Sequence, residues 1–299
     1  MSLATLKEGP RGVTSPIAAY SREVARGQLE PLHGQTVVIK YGGSAMEKAG
    51  LRDLFSRDVA LVRTLGVRAV VVHGGGPQID RLMKRLGKSP HFIGGLRVTD
   101  DETMSIVEMV LAGSINKEIV GAISAHGGRA VGLCGCDAGL IRATRRVHVL
   151  PDGREIDLGR VGDVKTVDPA PLELLQEHGF VPVLAPLGLG PGGELLNINA
   201  DLVAGDVAAS LGALKVIFLS DISGIRGRNG QLLQRVSLSE LDALIRDGVI
   251  EGGMLPKVEA CARAVKGGVK GAYIVDGRLP NALLLKLFTH TGLGTEVVL

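Results

Sequence analysis

Two lysines in glycine-rich surroundings are the residues of this chain best suited to chemistry on an anion. Lys40 begins the segment KYGGS at residues 40–44, and Lys257 ends the segment GGMLPK at residues 252–257. Paired glycines let backbone amides approach a phosphate, and a lysine supplies a compact positive charge. Lys257 falls in the first turn of a predicted helix, where the helix dipole favours anions, so a bound polyphosphate would compensate its charge. A tight turn with a solvated lysine is the alternative for Lys40 taken alone.

A third glycine-rich segment, HGGGP at residues 73–77, follows the next predicted strand. Its glycines remove side chains from the start of a helix, and bare N-terminal amides suit a carboxylate or a phosphate. A flexible loop is the alternative. His73 is either a general base or, as is commoner at a strand end, a structural hydrogen-bond donor.

Polar side chains in two further segments extend this set. Arg97, in GGLRVTD at residues 94–100, suits a bidentate clamp on a carboxylate, although an isolated arginine is usually a surface residue. Asn197 and Asn199 alternate with Ile198, so both amides lie on one side of an extended segment. Asp201 lies near the start of the following helix, where capping is the alternative to a role in a site.

Composition excludes several classes of function. The 299 residues are 45% hydrophobic, which is enough for a sizeable core and excludes a disordered chain. The net charge of +3 comes from 34 basic and 31 acidic residues mixed along the chain, and only 3% of the residues are aromatic. We therefore expect no nucleic-acid partner, because there is neither a basic block nor a stacking platform.

The cysteines and the hydrophobic runs bear on location. The three cysteines are an odd number, and the pair Cys134 and Cys136 has no second pair to complete a metal site. Buried thiols in a reducing cytosol fit best. No apolar run approaches about 18 residues, and the first residues are polar. We expect a cytoplasmic protein with no resident metal that neither leaves the cell nor spans a membrane.

The elements that must position these residues alternate between β-branched runs and amphipathic segments. This pattern indicates βαβ units, hence an α/β fold with a mainly parallel open sheet. Two segments break it: a hairpin of residues 144–149 and 154–158, and a glycine-rich loop at 187–196, whose G-x-G-x-x-G spacing lacks the following helix of a dinucleotide site. The predicted strands span residues 36–41, 68–73, 130–134, 181–185, 216–220 and 272–275, and the clearest helices span 51–65, 77–86, 201–211 and 256–265.

Taken together, these segments resemble the amino acid kinase family, and the resemblance runs from about residue 36 to the C-terminus. Each glycine motif alone is weakly specific, but six in this order are specific. Within the family, the chain is most similar to the branch that phosphorylates N-acetyl-L-glutamate in arginine biosynthesis. The motifs are KYGG at 40–43, HGGG at 73–76, GLRVT at 95–99, NINAD at 197–201, SDISG at 220–224 and GMLPK at 253–257.

The resemblance implies a three-layer αβα sandwich that transfers the γ-phosphoryl group of ATP, bound with Mg²⁺, to the side-chain carboxylate of N-acetyl-L-glutamate. Residues 1–35 form a predicted N-terminal arm, which is either helical and joins the subunits of a homo-oligomer, a dimer or a hexamer, or a disordered tail. A lobe at 36–212 would bind acetylglutamate and a lobe at 213–299 would bind ATP. By motif position, the residues are Lys40, Lys257 and Asp201 for catalysis, Gly75, Gly76, Arg97, Asn197 and Asn199 for the acceptor, and Gly42, Gly43, Ser220, Asp221, Gly224, Ile225 and Met254 for the nucleotide.

Two alternatives stay open at this point. One is a sister kinase of the same fold that acts on acetylaminoadipate, aspartate, carbamate or UMP. The other is a non-catalytic sensor of a nucleotide or an amino acid, against which the intact Lys40, Asp201 and Lys257 argue. Arginine-inhibited relatives carry His and Glu where this chain has Asn281 and Lys286. Because Lys286 would repel a guanidinium group, we expect weakened or absent inhibition by arginine.

Overall fold

The computed structural model describes residues 29–42, 46, 48–150, 152–289 and 291–299. Most of the segment predicted as an N-terminal arm therefore lies outside the described residues. Its described end, residues 29–35, contains a single turn of 3₁₀-helix at Glu30–Leu32. The side chain of Leu32 is buried in the core of the domain.

Strands and helices alternate along the described chain, as the sequence predicts. The strands are β1 (Thr36–Tyr41), β2 (Arg68–His73), β3 (Phe92–Ile93), β4 (Leu96–Arg97), β5 (Ala130–Cys134), β6 (Ile141–Val149), β7 (Glu155–Val167), β8 (Val181–Ala185), β9 (Leu187–Leu189), β10 (Leu195–Ile198), β11 (Lys215–Ser220), β12 (Arg235–Ser237), β13 (Gly271–Asp276) and β14 (Thr295–Val298). The helices are α1 (Ala49–Thr64), α2 (Gly76–Arg85), α3 (Asp101–Glu108), α4 (Asn116–Ala125), α5 (Ala170–Glu177), α6 (Ala200–Ser210), α7 (Leu238–Arg246), α8 (Leu255–Lys266) and α9 (Ala282–Phe288). A π-helical segment, Met109–Ile115, joins α3 to α4.

The central sheet has eight strands in the order β12-β14-β13-β11-β1-β2-β8-β5. All neighbours from β13 to β5 are parallel, whereas β14 runs antiparallel to β13 and β12 runs parallel to β14. Helices α1, α4 and α9 contribute to the core on one face, and α6 and α8 contribute to the core on the other. The predicted three-layer αβα sandwich with a mainly parallel sheet is confirmed.

Strand β1 shows why the centre of the sheet is easy to recognise in the sequence. Val37 and Ile39 pack into the core on one face, and Val38 packs into the core on the other. A central parallel strand is covered on both faces, and a continuous run of β-branched residues satisfies that requirement.

A second, smaller sheet contains β6, β7, β9 and β10. The predicted hairpin is present as β6 and β7, and both strands are longer than predicted. The predicted loop at 187–196 is wrong, because β9 and β10 pair antiparallel there. A Cβ at Gly188 would lie 2.7 Å from Ile198 Cδ1 and 2.9 Å from Ala143 Cβ, so this glycine permits close packing inside a strand.

The strand order defines where a ligand is expected. The chain places β2 and β8 on one side of β1, and later places β11 and β13 on the other side. In open α/β sheets, ligands bind outside the carboxyl ends of the strands at such a reversal of order. Lys40 lies at the carboxyl end of β1 and Ser220 ends β11, so the predicted segments meet at this crevice.

Candidate active site

Lys40, Asp201 and Lys257 form a buried cluster of ion pairs at this crevice. Lys40 Nζ lies 2.9 Å from Asp201 Oδ1, and Lys257 Nζ lies 2.9 Å from Asp201 Oδ2. The side chains of Lys40, Asp201 and Lys257 are 8%, 7% and 17% exposed. With two ammonium groups and one carboxylate, the cluster has an excess positive charge and is suited to attract an anion.

The ionisation of the cluster follows from burial and mutual charge. Burial acts to raise the pKa of Asp201, but Lys40 and Lys257 outweigh it and lower this pKa to about 2. Burial lowers the pKa of Lys40, while the carboxylate of Asp201 opposes that effect. An anion bound beside Lys40 would further favour its protonated form.

Local structure fixes where these side chains end. Lys40 turns back over Gly42, and a Cβ at Gly42 would collide with Lys40 Nζ. Gly42 therefore leaves space for the ammonium group, and its predicted contact with the nucleotide stays a prediction. The other glycine of this motif, Gly43, lies outside the described residues, so its predicted phosphate contact stays a prediction.

The start of α6 positions Asp201. Asn199 is the N-cap of this helix, and its Oδ1 accepts hydrogen bonds from the backbone N–H groups of Asp201 at 2.8 Å and Leu202 at 3.3 Å. The expectation that Asp201 itself might cap the helix is wrong, and its carboxylate is left for the two lysines. Asn199 also lines the adjoining cavity, so its predicted contact with the acceptor stays a prediction.

A cavity of about 250 Å³ adjoins the cluster. Its walls combine polar groups with apolar side chains such as Ile79, Leu96 and Leu111. Such a mixture suits a small molecule that has both charged groups and a carbon chain. All residues predicted for the acceptor line this cavity together with the two cluster residues Lys40 and Asp201: Gly75, Gly76, Arg97, Asn197 and Asn199.

Arg97 is held in place by contacts that the sequence did not indicate. Its Nη1 donates to Asp80 Oδ1 at 2.6 Å and lies 3.4 Å from Met83 Sδ. The guanidinium carbon lies 4.7 Å from the ring centroid of Phe92, which β3 places opposite Arg97. The guanidinium plane is therefore fixed on one side by a carboxylate and on one face by a ring, as a directional clamp requires.

A second cavity, of about 370 Å³, contains four of the residues predicted for the nucleotide: Asp221, Gly224, Ile225 and Met254. Ser220, a fifth, is buried and donates its hydroxyl hydrogen to Asp221 Oδ1 at 3.1 Å. Met254 precedes α8, and Lys257 follows in the first turn of that helix. This short stretch of chain therefore connects the second cavity to the ion-pair cluster.

Two residues near the second cavity were not predicted. Thr295 Oγ1 accepts from the backbone N–H of Ile225 at 2.8 Å, and it occupies the space in which a side chain at Gly224 would lie. The φ angle of Gly224 is 136°, which also favours glycine. Arg278 lines the cavity and forms two hydrogen bonds, at 2.8 and 2.7 Å, with the carboxylate of Asp276. The sequence signal for Thr295 and Arg278 is too weak to single them out.

Neither a metal site nor a membrane-spanning helix is found among the described residues. In those ranges, no group of three or more His, Cys, Asp and Glu side chains is arranged to hold a metal ion. Among the helices that the structure describes, none is long and apolar enough to cross a bilayer. The three cysteines are free thiols, and Cys134 and Cys261 are buried.

The parallel sheet places a buried cluster of two lysines and one carboxylate at the carboxyl ends of its strands, where it suits an anionic ligand. Residues 35–276 match the sequence model of the amino acid kinase family, and the chain belongs to this family. It is 52% identical over 269 residues to acetylglutamate kinase from Stutzerimonas stutzeri (strain A1501), over 88% of this chain and 90% of that protein. It is 50% identical over 276 residues to acetylglutamate kinase from Moorella thermoacetica (strain ATCC 39073 / JCM 9320), over 90% and 93% of the two chains.

Solved structures agree with this family. N-acetylglutamate synthase from Neisseria gonorrhoeae, complexed with coenzyme A and N-acetyl-glutamate, superposes with a TM-score of 0.81 and 27% identity. That match covers 93% of this chain and 62% of the synthase. Carbamate kinase from Giardia lamblia bound to AMP-PNP has a TM-score of 0.63 and 18% identity, over 89% and 98% of the two chains, and shows the shared fold alone.

Proposed function

We propose that this protein transfers the γ-phosphoryl group of ATP to the side-chain carboxylate of N-acetyl-L-glutamate, which gives N-acetylglutamyl 5-phosphate in arginine biosynthesis. The observation that supports this proposal most directly is the Lys40–Asp201–Lys257 cluster between the two cavities. Curated relatives that share half of their residues with this chain, over about nine tenths of its length, are acetylglutamate kinases, which supports the choice of acceptor.

The chemistry needs positioning and charge neutralisation more than covalent help. Both the acceptor carboxylate and the triphosphate are anions, so the site must offset their repulsion while holding the reacting oxygens in line. Lys40 and Lys257 supply two positive charges, and Asp201 fixes both ammonium groups. A carboxylate with a pKa near 4 is already ionised at neutral pH, so no general base is required.

The acceptor would occupy the cavity beside the cluster. Arg97 would bind its α-carboxylate, while the N-terminal amides of α2 at Gly75 and Gly76 would bind an oxygen of the acceptor or of the group in transit. Asn197, whose Nδ2 lies 3.4 Å from Thr99 Oγ1, would contact a second polar group. Asn199 would add its free amide hydrogens.

The nucleotide would enter as MgATP, with the ion as part of the substrate. Its base and ribose would occupy the cavity of Asp221, Gly224, Ile225 and Met254, and its phosphates would extend toward Lys257. Gly42 and Gly43 would contribute backbone to the phosphate side. In this proposal residues 36–212 form the acceptor lobe and 213–299 the nucleotide lobe, joined in the turn between α6 and β11.

Assembly and location stay predictions. We propose a homo-oligomer, a dimer or a hexamer joined through residues 1–35, that works in the cytoplasm. The evident test is sedimentation of the full chain beside a chain that lacks residues 1–28. A hexamer that persists without those residues would rule out the arm as the joining element.

The function is tested by ADP release and hydroxamate trapping with five acceptors: N-acetyl-L-glutamate, acetylaminoadipate, aspartate, carbamate and UMP. We expect turnover selective for N-acetyl-L-glutamate, and a loss of at least 100-fold in kcat for Lys257→Ala. Lys266→Ala is the matched control, because Lys266 is exposed at the other end of α8. Turnover with another acceptor alone would make the protein a sister kinase, and no turnover with any of them would favour a sensor.

A further inference from the structure

His73, at the end of β2, is completely buried and has a partner at each ring nitrogen. Nδ1 lies 3.0 Å from the carbonyl oxygen of Gly74, and Nε2 lies 3.3 Å from Nδ2 of Asn116. Burial lowers the pKa of His73 to about 4, so the imidazole is neutral at physiological pH. A neutral ring that is enclosed and engaged at both nitrogens cannot serve as the general base that the sequence left open.

Asn116, the first residue of α4, determines which nitrogen carries the hydrogen. Its Nδ2 donates to the carbonyl oxygens of Val183 at 2.9 Å and Leu133 at 3.3 Å, and its Oδ1 accepts from Lys117 Nζ at 3.1 Å. These contacts fix the orientation of the amide, so the NH₂ group faces His73. Nε2 of His73 faces this NH₂ group and so carries no hydrogen. The ring hydrogen lies on Nδ1, which donates it to the carbonyl oxygen of Gly74.

The hydrogen bond between His73 and the Gly74 carbonyl affects the substrate cavity because Gly75, which lines the cavity, shares a peptide group with that carbonyl. The carbonyl of Gly74 and the N–H of Gly75 belong to the same planar trans peptide and point in opposite directions. Holding the Gly74 oxygen toward His73 thus sets the direction of the Gly75 N–H. Glycine torsions are otherwise soft, so the orientation of this amide needs an external constraint.

Side chains that pack against Gly75 also restrict the orientation of this peptide group. A Cβ at Gly75 would lie 2.6 Å from Leu111 Cδ2 and would collide with Ile115 Cδ1. Both side chains come from the π-helical segment that leads directly into Asn116. The backbone N–H of Gly74 donates to the carbonyl oxygen of Tyr41 at 2.9 Å, which fixes the preceding peptide.

We propose that His73 and Asn116 are positioning residues, which orient the Gly75 amide for the acceptor through the contact of the His73 Nδ1–H with the Gly74 carbonyl. This inference rests on the proposed function for the identity of the acceptor. The hydrogen-bond arrangement itself does not depend on it. Neither side chain touches the reacting atoms.

Two substitutions at His73 separate this role from simple packing. His73→Asn retains an amide N–H near the position of Nδ1, whereas His73→Gln places its amide near Nε2 and leaves the Gly74 carbonyl without its donor. We expect His73→Gln to raise the KM for the acceptor roughly tenfold, as the loss of one oriented hydrogen bond implies. The KM for ATP should change less than twofold, and His73→Asn should recover most of the acceptor affinity at a similar melting temperature.

The same acceptor KM in both variants, or parallel losses in acceptor affinity, ATP affinity and melting temperature, would overturn the proposal. An independent readout is the ¹⁵N spectrum of the wild-type imidazole, assigned by its absence from His73→Asn. We expect a neutral ring protonated at Nδ1 at pH 7, and an Nε2–H tautomer or an imidazolium would overturn the arrangement. Because this spectrum needs no substrate, its result stands even if the wild type proves to use another acceptor.

Discussion

Replacement of Asp201 by asparagine tests whether the buried ion pairs stabilise the fold. The pKa of Asp201 is about 2 in the folded protein, against an ordinary value of 3.8. This difference corresponds to about 2 kcal/mol of stability at neutral pH. Because the folded-state pKa is the lower one, the contribution is complete above about pH 4 and is lost as the pH falls toward 2.

We therefore expect Asp201→Asn to lower the free energy of unfolding by about 2 kcal/mol at pH 7 and by about 1 kcal/mol at pH 3. This figure already includes the loss of the counterion for Lys40 and Lys257, because the same ion pairs lower the pKa of Asp201. Urea unfolding at both pH values measures the difference. Turnover should fall at least 100-fold, because asparagine offers an acceptor oxygen to one ammonium group only and a carboxylate to neither.

Asp206→Asn is the matched control on the same helix. The Asp206 carboxylate lies 3.3 Å from Arg263, and burial raises its pKa. The pKa shift of Asp206 is thus opposite in sign to that of Asp201. Asp206→Asn should therefore leave the free energy of unfolding at pH 7 unchanged or increased, and turnover should be retained. A decrease in the free energy of unfolding of less than about 0.5 kcal/mol at pH 7 for Asp201→Asn would refute a stabilising role for the ion pairs. An equal decrease at pH 3 and at pH 7 would refute it as well.

Two further predictions concern Gly42 and Lys286. Gly42→Ala should reduce kcat at least tenfold with little change in melting temperature, because the new methyl group displaces the flexible end of Lys40. Gly50→Ala is the control, because a Cβ at Gly50 meets nothing within 4 Å. Full activity of Gly42→Ala would contradict the prediction. Millimolar arginine should leave turnover unchanged, because the ammonium group of Lys286, which lies 4.3 Å from the ring centroid of Tyr273, would repel a guanidinium group that approached it. Half-maximal inhibition in that range would contradict this prediction.

The fold was predictable for strands that are buried on both faces of the sheet, because such strands have continuous apolar sequences. The predicted bounds of β1 and β2 equal the observed ones, because continuous β-branched runs end in glycine there. Strands β9 and β10 were missed for the opposite reason. They are short, and Gly188 looks like a loop residue until the side chains of Ala143 and Ile198 are placed against it.

The candidate site was predictable in its charged residues and unpredictable in the groups that orient them. Lys40, Asp201 and Lys257 stand in recognisable motifs, and the fold brings them within hydrogen-bonding distance. Asp80 and Asn116 stand in no motif. Each reaches its partner because a helix packs beside a strand end, and such contacts depend on tertiary geometry that residue spacing does not encode.

The position of Lys257 illustrates how the structure revises a sequence argument. A lysine in the first turn of a helix opposes the helix dipole, so the sequence called for a polyphosphate as its counterion. The structure supplies Asp201 instead, but this carboxylate is shared with Lys40. Asp221 adds only a longer-range attraction to Lys40, so in the described part of the chain two ammonium groups share one carboxylate at ion-pair distance. Phosphates bound at the cluster would offset the remaining positive charge. The excess charge that opposes burial of the two lysines would thus attract the group to be transferred.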